Sequence, residues 1–383
     1  MNYNPELLSW VETDAAALAH NVRTFRGLVG DERKLLVVVK GNAYGHCMIP
    51  CAGLALEAGA DWLGVFNFQE ALGLRLAGIV APILVFGPVA VSAYERAARE
   101  NISITAGSPE AIESLTRRGV KGLKVHLKIE TGTNRQGLQL DEFPLLFHML
   151  SPDKVKIEGA YTHFADIEDT TDHSYAEKQL QNFKDAIQSL KDMGIEPAIK
   201  HSACSAATIL FPQTYFDMVR MGIATYGLWS SKETFLSANQ LKRENIELKP
   251  VMTWKTRIAQ IKTIQAGEYV GYGRTFRATR ETKLAILPVG YANGYDRRIS
   301  NNGYALVHGK RAAVCGRIMM NMMAVDVSDI EQAKTQDEVV LLGRQHGESI
   351  SAETMASWVG TINYEIVTRI EPEGKRRIVY NSQ

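Results

Sequence analysis

The stretch KLLVVVKGNAYGHC, residues 34–47, ends an apolar run with a lysine. Leu35 to Val39 have the composition of a buried strand, and Lys40 follows them immediately, before a Gly41-Asn42 turn. An amine at the end of a buried strand is costly to remove from water unless it has a partner or takes part in a reaction. Desolvation also lowers the pKa of a lysine, which makes its amine a nucleophile or a base. Lys40 is therefore a candidate for covalent or general-base chemistry.

Four further polar residues stand at or just after other apolar runs: Lys128, His163, Ser205 and Arg220. Taken singly, each has a structural explanation, because a buried histidine is usually a satisfied core residue and an arginine usually pairs with a carboxylate. The small residues in CSAA (204–207) and MGIA (221–224) suit a phosphate site made of a hydroxyl and backbone N–H groups. A desolvated lysine beside a phosphate site predicts a Schiff base with pyridoxal phosphate (PLP).

These residues need a scaffold that brings strand ends together. Eight apolar runs alternate with helical segments, at 35–39, 62–66, 82–87, 102–105, 123–129, 157–164, 197–203 and 216–220. The clearest helix is SYAEKQLQNFKDAIQSLKDMG, which is amphipathic. The strand count and the spacing predict an α/β fold, a (β/α)8 TIM-like barrel, although a doubly wound sheet alternates in the same way. In such a barrel the five polar residues lie on one face.

Near residue 244 the pattern changes to β-branched runs separated by Gly and Asn turns, such as KLAILPVG and EVVLLG. A chain of 383 residues is also long for a single core. We therefore predict a barrel domain over residues 1–243 and a mainly β C-terminal domain over residues 244–383. The first residues of the chain are candidates for pairing with the second domain.

Composition excludes several function classes. The chain is 45% hydrophobic and 22% charged with a formal net charge of +1, which gives no electrostatic reason to expect nucleic acid or an anionic membrane. No apolar run has the length of a membrane span, and MNYNPELLSWVETD lacks the features of a secretory signal. Four scattered cysteines do not form a disulfide framework, and His46, Cys47 and Cys51 lack a second ligand cluster for a metal. We expect a cytoplasmic protein without a metal.

The segment VVVKGNAYGH resembles the PLP-lysine segment of alanine racemases. Other segments resemble the same family, in family order and across both predicted domains: WVETDAAALAHN, VHLKIETGTNRQG, VRMGIATYGL, VGYGRTF, LPVGYANGYDR, HGKRAAVCGRIMMNMMAVDV and GTINYE. The resemblance implies a PLP-dependent isomerase that interconverts L- and D-alanine. It also implies D-alanine biosynthesis as the context and a homodimer with shared active sites.

The resemblance assigns the catalytic residues. Lys40 carries the cofactor and acts as the base on one face of it. Tyr291, contributed by the partner subunit, is the base on the opposite face, with His163 hydrogen-bonded to it. Arg220 contacts the pyridine nitrogen. Because arginine cannot supply a proton, the nitrogen stays neutral and the carbanion is short-lived, which suits a racemase.

The resemblance also assigns the binding residues. Arg135 reaches the cofactor's phenolic oxygen, and Lys128 is carbamylated so that its anion orients Arg135. Met320 of the partner subunit donates its backbone N–H towards the substrate carboxylate. The phosphate is bound by Tyr44, Ser205, Gly222, Ile223 and Tyr364.

One departure from the family pattern bears on the substrate. Asn321 stands where the family usually has an aspartate, and asparagine occurs there in relatives that accept several amino acids. A broader alanine and serine racemase is therefore the alternative, while Tyr364 favours alanine. Two further alternatives are weaker. A PLP-dependent decarboxylase would place a glutamate at the ring nitrogen, and a non-catalytic PLP-binding barrel would not need a β domain bearing Tyr291.

Overall fold

The computed structural model describes residues 7–144, 155–241, 246–371 and 377–379. The chain divides into two units. The barrel unit comprises Leu18–Ala43 and Met48–Lys249, and the β unit comprises Met1–Ala17, Tyr44–Cys47 and Pro250–Gln383. The predicted boundary between residues 243 and 244 lies outside the described residues.

The barrel unit is built on eight parallel strands. They are β2 (Lys34–Val38), β3 (Trp62–Val65), β4 (Ile83–Val85), β5 (Ile102–Ala106), β6 (Lys124–Lys128), β7 (Lys156–Tyr161), β8 (Ile199–His201) and β9 (Met218–Met221). Each strand pairs with the next from β2 to β8, and β9 pairs with β2, so the sheet is a nearly closed barrel. The predicted (β/α)8 barrel is confirmed, and each of the eight predicted strands is present.

Helices precede, connect and follow the strands of the barrel. They are α1 (Ala15–Val29), α2 (Met48–Glu57), α3 (Phe68–Leu76), α4 (Tyr94–Arg99), α5 (Pro109–Arg118), α6 (Ser174–Asp192), α7 (Ser205–Leu210) and α8 (Lys232–Gln240). Local sequence sets their limits: Ser108 caps α5 by accepting from the Ala111 N–H, and Gly119 ends it in the left-handed conformation. Helix α6 is the amphipathic helix predicted from sequence, and it buries Ala176, Leu180 and Phe183.

The β unit is mainly β, as predicted for the C-terminal domain. Its strands are β1 (Ser9–Asp14), β10 (Met252–Arg257), β11 (Gln260–Ile264), β12 (Tyr269–Val270), β13 (Phe276–Arg277), β14 (Thr282–Leu287), β15 (Tyr304–Val307), β16 (Lys310–Cys315), β17 (Met323–Asp326), β18 (Glu338–Gln345), β19 (Glu348–Ile350) and β20 (Arg377–Val379). The long sheet has the order β11-β14-β17-β16-β15-β18-β10-β1-β20, in which β1 lies antiparallel to β10. Two short helices follow β19, namely α9 (Ala352–Val359) and α10 (Asn363–Arg369).

Within the described ranges, no helix is both long enough and apolar enough to cross a membrane.

Candidate active site

The turn after strand β2 is left-handed. Gly41, Asn42 and Ala43 have φ of 60°, 55° and 57°. This conformation strains a residue with a Cβ by about 1–2 kcal/mol, so the turn requires compensating contacts. The Ala43 N–H donates to the Val39 carbonyl at 2.8 Å, and the Met48 N–H donates to the Asn42 side chain at 2.9 Å. These bonds fix the backbone that directly follows Lys40.

Glu70 is a residue at this turn that the sequence analysis did not single out. Its Oε1 accepts from the Gly41 N–H at 2.7 Å, and its Oε2 accepts from the Phe66 N–H at 2.8 Å. Glu70 also completes a capping box with Asn67 at the start of α3. The Asn-x-x-Glu spacing in NFQE indicates the capping box, but the bond to Gly41 spans 29 residues and has no local signal.

Lys40 has the electrostatic environment of a reactive amine. Burial lowers its pKa, and the nearby positive charge of Arg135 lowers it further, while Glu70 acts in the opposite direction. A lysine with a lowered pKa has a larger fraction of neutral amine at neutral pH, and only that form is a base or a nucleophile.

Lys128, the last residue of β6, is a second buried lysine on this face. It is 4% exposed. Burial, followed by the charge of Arg220, lowers its pKa to about 7. Its ammonium lies 5.4 Å from the centre of the Tyr161 ring and donates a long 3.4 Å hydrogen bond to the Ile129 carbonyl. At about pH 7, half of the Lys128 amines are therefore neutral.

Arg220 on strand β9 is held by a set of acceptors. Its NH1 donates to His201 Nδ1 at 2.9 Å, and its NH2 donates to the carbonyls of Thr162 and Ser202 at 2.8 and 2.9 Å. Burial lowers its pKa to about 10, so the guanidinium stays charged at neutral pH. Its Nε–H has no acceptor among the described residues, so this donor is available to a ligand.

His163 lies two residues beyond β7, beside this arginine. Its Nδ1 is 3.5 Å from Arg220 NH2. Burial and the positive charge of Arg220 keep the pKa of His163 well below its usual range, so the imidazole is neutral. Its backbone carbonyl accepts from the Thr133 hydroxyl at 2.5 Å, which fixes the loop that carries it.

Ser205 and Gly222 lie together at the ends of neighbouring strands. The Ser205 Oγ accepts from the Gly222 N–H at 3.0 Å, so the hydroxyl keeps its own proton for a ligand. Ser205 and Ile223 are 3% and 1% exposed. Arg135, in the loop after β6, is exposed, and its N–H donates to Glu130 Oε2 at 3.4 Å.

In the β unit, Tyr44 lies beside Tyr364 of helix α10. Their ring centres are 6.1 Å apart. The next residue, Gly45, has a φ of +86°, and a Cβ added to it would lie 2.1 Å from the Val367 carbonyl oxygen. Only glycine permits this close approach, so Gly45 is required where the segment after Lys40 packs against helix α10.

Tyr291 and Met320 also lie in neighbouring loops of the β unit. The Tyr291 N–H donates to the Met319 carbonyl at 3.0 Å, and the Ala292 N–H donates to the Met320 carbonyl at 2.9 Å. A Cβ on Gly290 would lie 2.1 Å from the Met319 oxygen, so glycine is required there. The side chains of Tyr291 and Met320 are 42% and 56% exposed.

The structure therefore places the predicted residues in three groups. One is the carboxyl rim of the barrel, with Lys40, Lys128, His163, Ser205 and Arg220 at or within four residues of strand ends. The others are the tyrosine pair and the Tyr291 loop of the β unit. Enzymes with a (β/α)8 barrel have their active sites at the carboxyl ends of the strands, and this rim carries lysines of lowered pKa. The protein therefore belongs to the class of (β/α)8-barrel enzymes.

Comparison with known proteins identifies the family. The alanine racemase N-terminal domain family matches residues 13–230, and the alanine racemase C-terminal domain family matches residues 251–378. An alanine racemase of Leptospira interrogans is 39% identical over 373 residues, covering 97% of this chain and 96% of the relative. One of Symbiobacterium thermophilum is 40% identical over 366 residues, covering 94% of each chain. The crystal structure of alanine racemase from Bacillus anthracis with bound L-Ala-P superposes with a TM-score of 0.91 at 34% identity, covering 100% of this chain and 97% of the other. The chain belongs to the alanine racemase family.

Proposed function

We propose that this protein is an alanine racemase that uses PLP and interconverts L-alanine and D-alanine by a two-base mechanism. The observation that carries the proposal is the lowered pKa of Lys40 on a rim that also holds Arg220 with a spare donor. The resemblance at the family's motifs covers both units, and relatives at 39–40% identity over nearly the full length are named alanine racemases.

The polar groups of the barrel rim match the functional groups of PLP. The cofactor has an aldehyde, a phosphate and a pyridine nitrogen. Lys40 offers an amine to the first, Ser205 a hydroxyl proton to the second and Arg220 its Nε–H to the third. When bound, PLP supplies an electron sink for the electron pair that remains when the substrate Cα proton leaves. We assign Tyr44, Tyr364, Gly222 and Ile223 to the phosphate and Arg135 to the phenolic oxygen, as the family resemblance implies.

Lys40 and Tyr291 move the proton at Cα. Racemisation needs a base on one face and an acid on the other. Lys40, with its lowered pKa, takes or returns the proton on its face. Tyr291 does so on the opposite face. We propose that Tyr291 reaches the site from the partner subunit of a homodimer, and its exposed side chain is consistent with this.

Arg220 would supply a positive charge beside the cofactor ring, and Met320 would orient the substrate. Arg220 stays charged, because its pKa remains about 10. It would donate a hydrogen bond to the ring nitrogen without giving up a proton. Met320 of the partner subunit would present its backbone N–H to the substrate carboxylate. His163 stays neutral beside Arg220 and would accept or donate a hydrogen bond at Tyr291.

The test of the proposed function is a chiral assay. Purified protein with PLP is incubated separately with L-alanine, L-serine and a series of other L-amino acids, and D-isomers are measured by chiral chromatography. We expect D-alanine to form fastest, and the reverse reaction to proceed from D-alanine. Formation of an amine and CO2, or no D-isomer from any substrate, would contradict the proposal.

We propose further that Lys128 is carbamylated. The neutral Nζ attacks the carbon of CO2, an N–C bond forms, and the electron pair of one C=O π bond moves to oxygen. One N–H proton leaves to solvent, which gives an anion able to orient Arg135. Its pKa of about 7 makes the amine reactive at pH values where exposed lysines are protonated. With 13C-labelled CO2 at constant pressure, we expect a carbamate NMR signal at about pH 8 that weakens as the amine protonates below about pH 7. Lys128→Met should lack the signal, and a signal that persists in this variant would exclude Lys128.

Asn321 is the residue that we expect to let the enzyme accept serine in addition to alanine. It is exposed in a turn closed by the Met319 N–H donating to the Met322 carbonyl at 2.9 Å. An aspartate there would need a cation to avoid repelling the substrate carboxylate, and that pairing would stiffen the loop.

Because asparagine adds no such charge, we expect the wild type to turn over some serine. Asn321→Asp should raise the alanine-to-serine ratio of kcat/KM by up to ~1–2 kcal/mol of discrimination. Asn321→Ala, which adds no charge, should leave the ratio near the wild-type value. An unchanged ratio in the aspartate variant would rule out a role in specificity.

We also propose a cytoplasmic location and a contribution to D-alanine supply. All four cysteines are free thiols, the usual state in a reducing compartment. Deletion of the gene should create a requirement for D-alanine if no second racemase is present.

A further inference from the structure

An unbroken hydrogen-bonded chain of polar side chains runs inside the barrel from Arg220. Its NH1 lies 2.9 Å from His201 Nδ1, His201 Nε2 lies 3.0 Å from His126 Nδ1, and His126 Nε2 lies 3.3 Å from Glu158 Oε2. Both histidines are fully buried. The interior of such a barrel is normally filled by branched apolar residues, so a buried polar chain of this kind requires an explanation.

The hydrogen bonds determine the tautomer of both histidines. Arg220 can only donate, so His201 Nδ1 must accept and the proton of His201 must be on Nε2. That proton is donated to His126 Nδ1, which leaves the proton of His126 on Nε2. It is donated in turn to the Glu158 carboxylate. Every donor therefore points from Arg220 towards Glu158, an arrangement in which hydrogen bonds strengthen one another.

The pairing of strands β6 and β7 is adapted to this hydrogen-bonded chain of side chains. Strand β6 pairs Val125 with Ile157 and His126 with Gly159, so Glu158 is an extra residue in β7. A bulge of this kind re-aims a side chain, and here it is associated with a carboxylate beside His126. A Cβ on Gly159 would lie 2.3 Å from His126 Nδ1, so the imidazole occupies the space that glycine leaves.

The charges agree with the hydrogen-bond directions. Burial opposes ionisation of Glu158, but hydrogen bonds from His126 and Ser103, with the charge of Lys124, lower its pKa to about 2. The Ser103 hydroxyl donates to Glu158 Oε2 at 2.5 Å, and Lys124 Nζ lies 3.4 Å from Glu158 Oε1. Burial lowers the pKa of both histidines. At neutral pH the hydrogen-bonded chain of side chains therefore consists of one anion, two neutral imidazoles and the Arg220 cation.

We propose that Glu158 is a positioning residue for Arg220. By accepting the His126 Nε2–H, it stabilises the tautomers in which His201 Nδ1 accepts from Arg220, and this acceptor fixes one side of the guanidinium whose Nε–H is spare. Without the carboxylate, the His126 Nε2–H loses its acceptor, while Ser103 and Lys124, the donors that contact Glu158, remain. A donor to His126 Nε2 would favour the opposite tautomer. The opposite tautomer would place an N–H of His201 against an N–H of Arg220. The inference rests on the proposed function only where it concerns the cofactor that Arg220 contacts.

The first measurement uses the wild-type protein with and without PLP. In protein labelled with 15N-histidine, NMR should show both buried imidazoles as neutral Nε2–H tautomers, unchanged across the neutral pH range. A proton on Nδ1 of either ring, or an imidazolium, would overturn the proposal. Because this readout does not depend on turnover, it is independent of whether the protein racemises alanine. A wild type with these tautomers but no racemase activity would contradict the proposed function alone.

The second measurement compares Glu158→Met with Lys124→Met, which removes the other partner of the same ion pair. Glu158→Met should lose the Nε2–H tautomer, change the visible absorption of the bound cofactor and lower kcat by about 10–100-fold, with the KM for alanine nearly unchanged. Lys124→Met should keep the tautomers and the spectrum. Equal tautomers, spectra and kcat in the two variants would overturn the proposal. If Glu158→Met does not fold, the wild-type measurement can still overturn the proposal, because a proton on Nδ1 of either ring excludes the required arrangement.

Discussion

Lys40→Ala is expected to lose the covalent attachment of PLP and to lower kcat/KM for alanine by about 1,000-fold or more, since it removes both the amine and one of the two bases. Borohydride reduction of the loaded protein, followed by digestion and mass spectrometry, measures the attachment. The label should lie on the peptide that contains Lys40 in the wild type. It should be absent from every peptide of the variant.

The competing nucleophile is Lys128, because it is also buried and its pKa is lowered to about 7. A label on Lys128 in the Lys40→Ala protein would show that the two lysines exchange roles, and a label there in the wild type would contradict the assignment. Lys34→Ala is the matched control. Lys34 opens the strand that leads to Lys40 but is exposed, so this variant should keep both label and activity.

The barrel could be predicted because its signal is local. Each strand is an apolar run of a few residues bounded by helical segments, and the buried pattern of β2, from Leu35 to Val38, follows directly from its residue types. The rim residues could be predicted because parallel strands end on one face. Lys40 and Arg220 are far apart in sequence, but β2 and β9 are neighbours in the sheet.

The rest of the site depends on irregular backbone and on long-range pairing. The bulge at Glu158 changes which residues of IEGAY lie opposite VHLK, and hydrophobic periodicity cannot specify a bulge. In GNAY, Gly41 and Asn42 are suited to a left-handed turn, whereas Ala43 is not and adopts it only because tertiary contacts compensate the strain. The bonds between the Tyr291 and Met320 loops join residues almost thirty positions apart, for which the sequence has no periodic signal.

Tyr291→Phe is expected to lower kcat/KM for racemisation by about 100- to 10,000-fold, because it removes the base on one face and leaves Lys40 on the other. The variant should still exchange the Cα hydrogen of one enantiomer with D2O, since a single base can remove and return the proton on its own face. Tyr269→Phe is the matched control. It removes a hydroxyl from another exposed tyrosine of the β unit, and activity should be retained. Loss of exchange for both enantiomers would show that Tyr291 is needed for more than one face.

Mixing the two inactive variants tests whether the site is shared between subunits. If Tyr291 acts from the partner, a heterodimer of Lys40→Ala and Tyr291→Phe chains holds one site with both native bases and one site with neither. A statistical mixture should then recover about one quarter of the wild-type sites. Mixing Tyr291→Phe with a chain that carries both substitutions forms dimers of the same kind but no intact site, so it should recover nothing. A verified heterodimer without activity would place Tyr291 in the same subunit as Lys40, because only then would each site lack one of its two bases.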